Sequence, residues 1–179
     1  MTKLKKVILI RHGQTTKSKV DEGRKLTTNG VNQITKVALT LKKADLGKGV
    51  IVCTPKVRSK MSAAIIARVL SLPRRVFRSN MRVLGIEKLT SLQKKSEDLT
   101  FCYLRLVKQN KLPAGITKPV ELIKNFNKLI KTYGKFNSLI FVGHSGGLEA
   151  LTLYKNKFVT KSSPTKELNY GEMIVLTRT

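Results

Sequence analysis

Two histidines, each set between an apolar run and a glycine, are the residues of this sequence best placed to do chemistry. His12 lies in VILIRHGQT, residues 7–15, and His144 in LIFVGHSGG, residues 139–147. The chain has no other histidine. A third apolar run, GVIVC, hands over to TPKVR, residues 54–58. If the three runs are neighbouring strands, their ends collect two imidazoles, the guanidiniums of Arg11 and Arg58, several hydroxyls and glycines. Guanidinium forks match the oxygens of a phosphoryl group and cannot be titrated away. Glycines such as Gly13 let backbone N–H groups approach an anion closely, and the hydroxyls of Thr15 and Ser145 add further donors. A histidine held by a carbonyl can offer its other nitrogen as a nucleophile toward phosphorus. The second histidine, when protonated, would stabilise the oxygens of the moving group. Either histidine alone could equally be a hydrogen-bonded structural residue; it is the repetition at two strand ends that points to a site. A zinc site from His12, Cys53, Cys102 and His144 lacks any closely spaced ligand pair.

These residues need elements to hold them. KKVILI, GVIVC and SLIFVG read as short buried strands, with GEMIVLTR as a closing strand. The segment LTTNGVNQITKVALTLKKA has helical spacing, with Thr27 or Thr28 as cap. TPKVRSKMSAAIIARVLS predicts a helix capped by Thr54 with Pro55 at its first position. SEDLTFCYLRLVKQN predicts a helix capped by Ser96, with Glu97 and Asp98 in its first turn. PVELIKNFNKLIKTYG predicts one from Pro119 to Gly134, burying Val120, Ile123, Phe126 or Asn127, and Ile130. SGGLEALTLYKN reads as a further helix, while RRVF and MRVLGI read as strand pieces around a turn. Continuous apolar strands alternating with helices predict a single α/β domain over residues 1–179, three layers thick with a mostly parallel central sheet.

Composition narrows the setting. At 179 residues and 41% apolar content the chain can build one full core. No apolar run approaches the roughly 18 residues of a membrane helix, and the N-terminal run is too short for a signal peptide, so a cytoplasmic setting without a membrane is expected. Cys53 and Cys102 stand among apolar residues and read as reduced, buried hydrophobes. Thirty-six Lys and Arg against ten Asp and Glu give a net charge of +26, which attracts phosphates, nucleic acid and anionic surfaces. The cations are spread along the chain, RRVFRSNMR at residues 74–82 being the densest group.

IRHGQT with the distant VGHSGG resembles the histidine phosphatase superfamily, the clan that includes phosphoglycerate mutases. LTTNGVNQ is similar to that family's helix opening, and CTPKVRSKMSAA to the segment that brings in its second arginine. The likeness covers residues 7–70 and 138–151 and is absent between 88 and 135. It implies a phosphoglycerate mutase-like fold with a variable lid or insert at about residues 85–119. It also implies that His12 becomes phosphorylated, in a pocket formed with Arg11, Arg58 and His144. Many members carry a downstream glutamate as general acid, which Glu87 in VLGIEKL would supply; Glu97 and Asp98 are its nearest competitors. Some small members that dephosphorylate phosphohistidine in proteins lack this acid. Ser18 stands where many members have asparagine, and Thr54 and Lys56 replace the usual serine and leucine. Lys56 adds a cation at the rim, which suits multiply charged substrates.

The expectation is a phosphomonoester hydrolase needing neither metal nor cofactor, acting on a phosphorylated small molecule or phosphoprotein. The alternatives are a phosphohistidine protein phosphatase, a phosphoglycerate mutase-type phosphotransferase, and a basic nucleic-acid-binding protein. The nucleic-acid reading lacks an aromatic stacking platform or recognised binding motif.

Overall fold

The first apolar run forms strand β1 (Lys6–Arg11), and its side chains alternate between two faces. Val7 and Leu9 join one hydrophobic cluster and Ile8 and Ile10 another. The same division holds in β2 (Gly49–Cys53) and β4 (Ser138–Gly143), in which every residue is buried. Strands covered on both faces have no use for polar alternation, which is why they read as unbroken apolar runs. Between them come helix α1 (Thr28–Lys42), helix α2 (Val57–Leu70), the short strand β3 (Arg74–Val76), a 3-10 run (Ile86–Leu92), helix α3 (Leu99–Lys108) and helix α4 (Pro119–Tyr133). Helix α5 (Gly147–Leu153) and strands β5 (Phe158–Thr160) and β6 (Met173–Arg178) complete the chain. This computed structural model describes residues 3–17, 23–79, 81–84, 86–95, 97–153, 158–160 and 168–178.

The sheet order is β3-β2-β4-β1-β6-β5. The pairs β3–β2, β2–β4 and β4–β1 are parallel, while β6 runs antiparallel to both β1 and β5. One core cluster packs Ile34 and Ala38 of α1 and Ala63 and Ile66 of α2 on the sheet. The other packs Cys102, Tyr103 and Leu106 of α3, Leu122, Phe126 and Leu129 of α4 and Leu148 and Leu151 of α5. Each fully buried large aliphatic or aromatic side chain contributes about 1.5–3 kcal/mol. The α/β/α layering and mostly parallel sheet agree with the sequence. Both cysteines are free and buried, and burial pushes the Cys53 thiol up to about 11.

Several local expectations need correction. Helix α2 starts at Val57, with Lys56 as its N-cap and no side-chain capping bond. Thr54 does not cap it, because its hydroxyl is bonded to His144. Asp98 caps α3, accepting from the Phe101 N–H at 2.8 Å, whereas Ser96 lies outside the described residues. Helix α4 has the expected ends but buries Leu122, Phe126 and Leu129, leaving Val120 66% exposed. Residues 81–84 form no strand, although Met81 and Val83 still reach the core. The sequence reading did not include β5.

Candidate active site

Strand β4 lies between β1 and β2, with Arg11 paired to Gly143 and Cys53 to Val142. The residues that leave the three carboxyl ends are therefore neighbours, His144 being flanked by His12 and Thr54. From β1 one connection passes through α1 to β2 and from β4 another through α5 to the opposite side of the sheet, so the β1–β4 boundary is where strand order reverses. Such a crevice is where open α/β sheets bind ligands. The two imidazoles sit edge to face, their centroids 5.1 Å apart.

His12 is 5% exposed, and its Nδ1 lies 2.8 Å from the Gly13 carbonyl. A carbonyl oxygen only accepts, so Nδ1 carries the proton and Nε2 keeps its lone pair. That lone pair accepts from Arg58 Nε at 3.1 Å. Burial, with lesser help from Arg58, Arg11 and Arg24 and against the Gly13 carbonyl, pushes the His12 pKa down to about 3. His144 Nε2 is 3.0 Å from the Thr54 hydroxyl and 3.4 Å from that of Ser59. Burial first, then His12, Arg58, Arg82 and Lys56, hold its pKa far below the usual imidazole range. Both rings are neutral at pH 7.

The histidines open into a cavity of about 260 Å³. Four guanidiniums line it, those of Arg11, Arg24, Arg58 and Arg82, with Ser145 and Tyr170 and with Leu99 and Thr100 from the start of α3. No carboxylate is among the described lining residues. Arg11 lies 4.2 Å from the Tyr170 ring centre and donates to the Leu168 carbonyl. The Leu168 N–H donates to the fully buried Glu149 at 2.9 Å, so α5 anchors the segment that carries Tyr170. Tyr170 also reaches His12, at 5.6 Å between ring centres. Arg24 donates to the Thr15 hydroxyl at 2.6 Å and to the Thr16 carbonyl at 3.3 Å.

Glycine allows two close approaches here. A Cβ on Gly13 would stand 2.3 Å from the Gly30 carbonyl, and one on Gly30 2.0 Å from that of Gln14. The loop after β1 is thus pressed against the start of α1. A Cβ on Gly147 would stand 2.2 Å from the Met81 carbonyl, so the turn into α5 seats the segment bearing Arg82.

Of the residues expected from the sequence, Arg11, His12, Arg58, His144 and Ser145 line one cavity. Gly13 adjoins it, its N–H donating to the Ser62 hydroxyl at 3.3 Å. Thr15 is buried and holds Arg24. Ser18 lies outside the described residues, and so does the side chain of Glu87, whose backbone belongs to the 3-10 run. Glu97 is paired bidentately with Arg105, which holds its carboxyl down at about 2. Arg24, Arg82, Tyr170 and Glu149 were not expected at the site. Only Arg82 carried a signal, as part of RRVFRSNMR, where it read as surface charge.

The profile of the histidine phosphatase superfamily (branch 1) matches residues 7–79. The fold is similar to that of a mycobacterial glucosyl-3-phosphoglycerate phosphatase, at 17% identity and TM-score 0.56 over 82% of this chain and 77% of that one. It is similar also to a candidate α-ribazole-5′-phosphate phosphatase from Escherichia coli (17% identity, TM-score 0.54, 82% and 76% covered). A third likeness is to a candidate phosphohistidine phosphatase, SixA, from Agrobacterium tumefaciens (14% identity, TM-score 0.50, 83% and 74% covered). Comparison with curated protein sequences returns no match. The stretch matched by that profile carries the RHG motif and Arg58, and the fold around it is similar to that of these phosphatases.

Proposed function

We propose that the protein is a metal-independent phosphomonoester hydrolase that acts through a phosphohistidine on His12. The observation that carries this reading is the state of His12: its proton is held on Nδ1 by the Gly13 carbonyl, and its Nε2 lone pair meets Arg58 in a cavity of four guanidiniums. An incoming phosphoryl group would draw the Arg58 donor onto its own oxygens and leave Nε2 free to attack. The new N–P bond forms as the ester P–O bond breaks, and the departing oxygen takes a proton from Glu87. Water then attacks the phosphohistidine, the P–N bond breaks, and Glu87 accepts the water's proton. His144 starts neutral, held so first by burial and then by His12 and the cations around it; a bound dianion would offset the cationic part and favour the protonated ring, which would supply charge to the moving oxygens. The arginines neutralise the phosphoryl oxygens, the part that magnesium plays in other phosphoryl-transfer sites.

The test is hydrolysis of para-nitrophenyl phosphate in EDTA by the intact protein and by His12→Ala. Turnover that survives EDTA and disappears in the variant is expected. Inhibition by EDTA that zinc restores would remove the metal-independent part of the reading. Glu87 has its own test, since general acid catalysis is worth about 10²–10⁴-fold. Glu87→Gln should slow an alkyl phosphate far more than an aryl phosphate, and equal slowing of both removes Glu87 from the acid role.

A phosphohistidine protein substrate is the second reading, supported by the fold shared with the SixA protein and by the arginine-rich cavity. It expects turnover of a phosphohistidine protein that Glu87→Gln leaves unchanged, because an imidazole leaves without an acid. The mutase alternative requires a lid that excludes water from the phosphohistidine. The region around residues 85–119 would supply any such lid.

A further inference from the structure

The cavity at the histidines is too small for a whole substrate. At about 260 Å³ it falls below the roughly 300–1,000 Å³ of ordinary small-molecule pockets. A phosphoryl group can enter, and the group it is attached to must lie elsewhere. A second cleft of about 560 Å³ adjoins the first, with Arg82 in the lining of both. Thr54, bonded to His144 on one side, lines this cleft on the other. The cleft adds two cations, Lys56 and Arg78, and no carboxylate stands among its described lining residues. Its remaining surface includes Pro55, Val57 and Met81, apolar groups able to face a carbon skeleton. Lys56 and Arg82 are close enough to depress the His144 pKa, so their field reaches the catalytic cavity.

We propose that this cleft is a second anion subsite, and that the substrate carries, besides the phosphoryl group removed at His12, another phosphate or carboxylate held by Lys56, Arg78 and Arg82. The inference rests on the phosphatase reading and names the substrate class for it. A substrate with two anions would span both sites with its skeleton over Pro55 and Met81.

Binding and turnover test it separately. Calorimetric titration would compare a series of α,ω-alkane bisphosphonates with alkylphosphonates of the same length, on the intact protein, Arg78→Ala and Lys36→Ala. Lys36 is an exposed cation of α1 that lines neither cavity and controls for attraction by net charge alone. At least one bisphosphonate should bind about tenfold or more tightly than its partner, the worth of one charge-assisted hydrogen bond. That preference should fall to near unity in Arg78→Ala and persist in Lys36→Ala, while both variants keep the turnover of para-nitrophenyl phosphate. Substituting one phosphonate by carboxylate then distinguishes the two kinds of second anion. Turnover of para-nitrophenyl phosphate without any bisphosphonate preference overturns the subsite and leaves the phosphatase reading standing. An Arg78-dependent preference in a protein without turnover supports the subsite and overturns the phosphatase reading. A preference lost equally in Lys36→Ala reduces the effect to overall charge and overturns the subsite.

Discussion

His12 and His144 are the chain's only histidines, which makes them unusually simple to watch. A free imidazole titrates near 6.5, yet burial and neighbouring guanidiniums lower His12 to about 3 and hold His144 lower still. In a proton NMR titration neither ring should change charge between about pH 8 and pH 5. A midpoint near 6.5 for either would contradict the geometry. Orthovanadate or phosphate should then draw His144 upward, since an added dianion favours its protonated form. Arg58 depresses His12, so Arg58→Ala should raise the His12 pKa while costing activity about 10²–10³-fold through the lost clamp. The same shifts govern stability. The unfolded chain takes up these protons before the folded one, so the contribution is complete above about pH 6.5 and is lost as pH falls toward the folded value near 3. Across that window each histidine costs at most about 1.4 kcal/mol per pH unit. Urea midpoints measured against pH should fall on the acid side, and His12→Gln should flatten that fall.

At the scale of elements, the site depends on how tightly loops are pressed onto helix ends. Gly30→Ala would drive a Cβ to 2.0 Å from the Gln14 carbonyl, where only backbone could give way. Overpacking of this kind costs about 1–3 kcal/mol. A lowered urea midpoint and a reduced kcat, from the displaced His12 loop, should appear together. Glu149→Ala removes the acceptor of the Leu168 N–H, a buried bond whose loss costs about 1–3 kcal/mol, and should free the segment that braces Arg11. Its KM should rise more than its stability loss explains. Much of this scaffold was legible in the sequence. Strands buried on both faces announce themselves as VILI, GVIVC and SLIFV, and Arg11, His12, Arg58 and His144, singled out beyond their ends, line one cavity. What local rules misread was decided by distant partners. Thr54 has the type and position of a helix cap, but its hydroxyl serves a histidine 90 positions away. Arg24, Tyr170 and Glu149 enter through loop packing that no periodicity encodes. The stripe of α4 was right at Phe126 but missed Leu122 and Leu129 and wrongly included Val120, because its spacing admits two faces that share Phe126.

Across the whole molecule the net charge of +26 sets the surrounding field. Anionic substrates should be drawn in and the attraction screened by salt, whose Debye length is about 8 Å at physiological strength. KM for an anionic substrate should therefore rise with added sodium chloride while kcat stays level; an unchanged KM would mean that the charge is spread too evenly to steer. Random oligonucleotide tests the rival use of the same charge. Binding with a steep salt slope that persists in His12→Ala would place nucleic-acid binding apart from the catalytic cavity. The described residues contain no helix long and apolar enough to cross a membrane.

The central claim is that His12 carries the phosphoryl group, and rapid-quench mass spectrometry of the intact protein tests it most directly. Mixed with para-nitrophenyl phosphate and stopped in base, which spares phosphohistidine, the protein should gain the mass of one phosphoryl group on the peptide containing His12. That adduct should be acid-labile and absent from His12→Ala. Turnover without any such adduct, in a variant whose breakdown is slowed by Glu87→Gln, would contradict the account and point to direct attack by water.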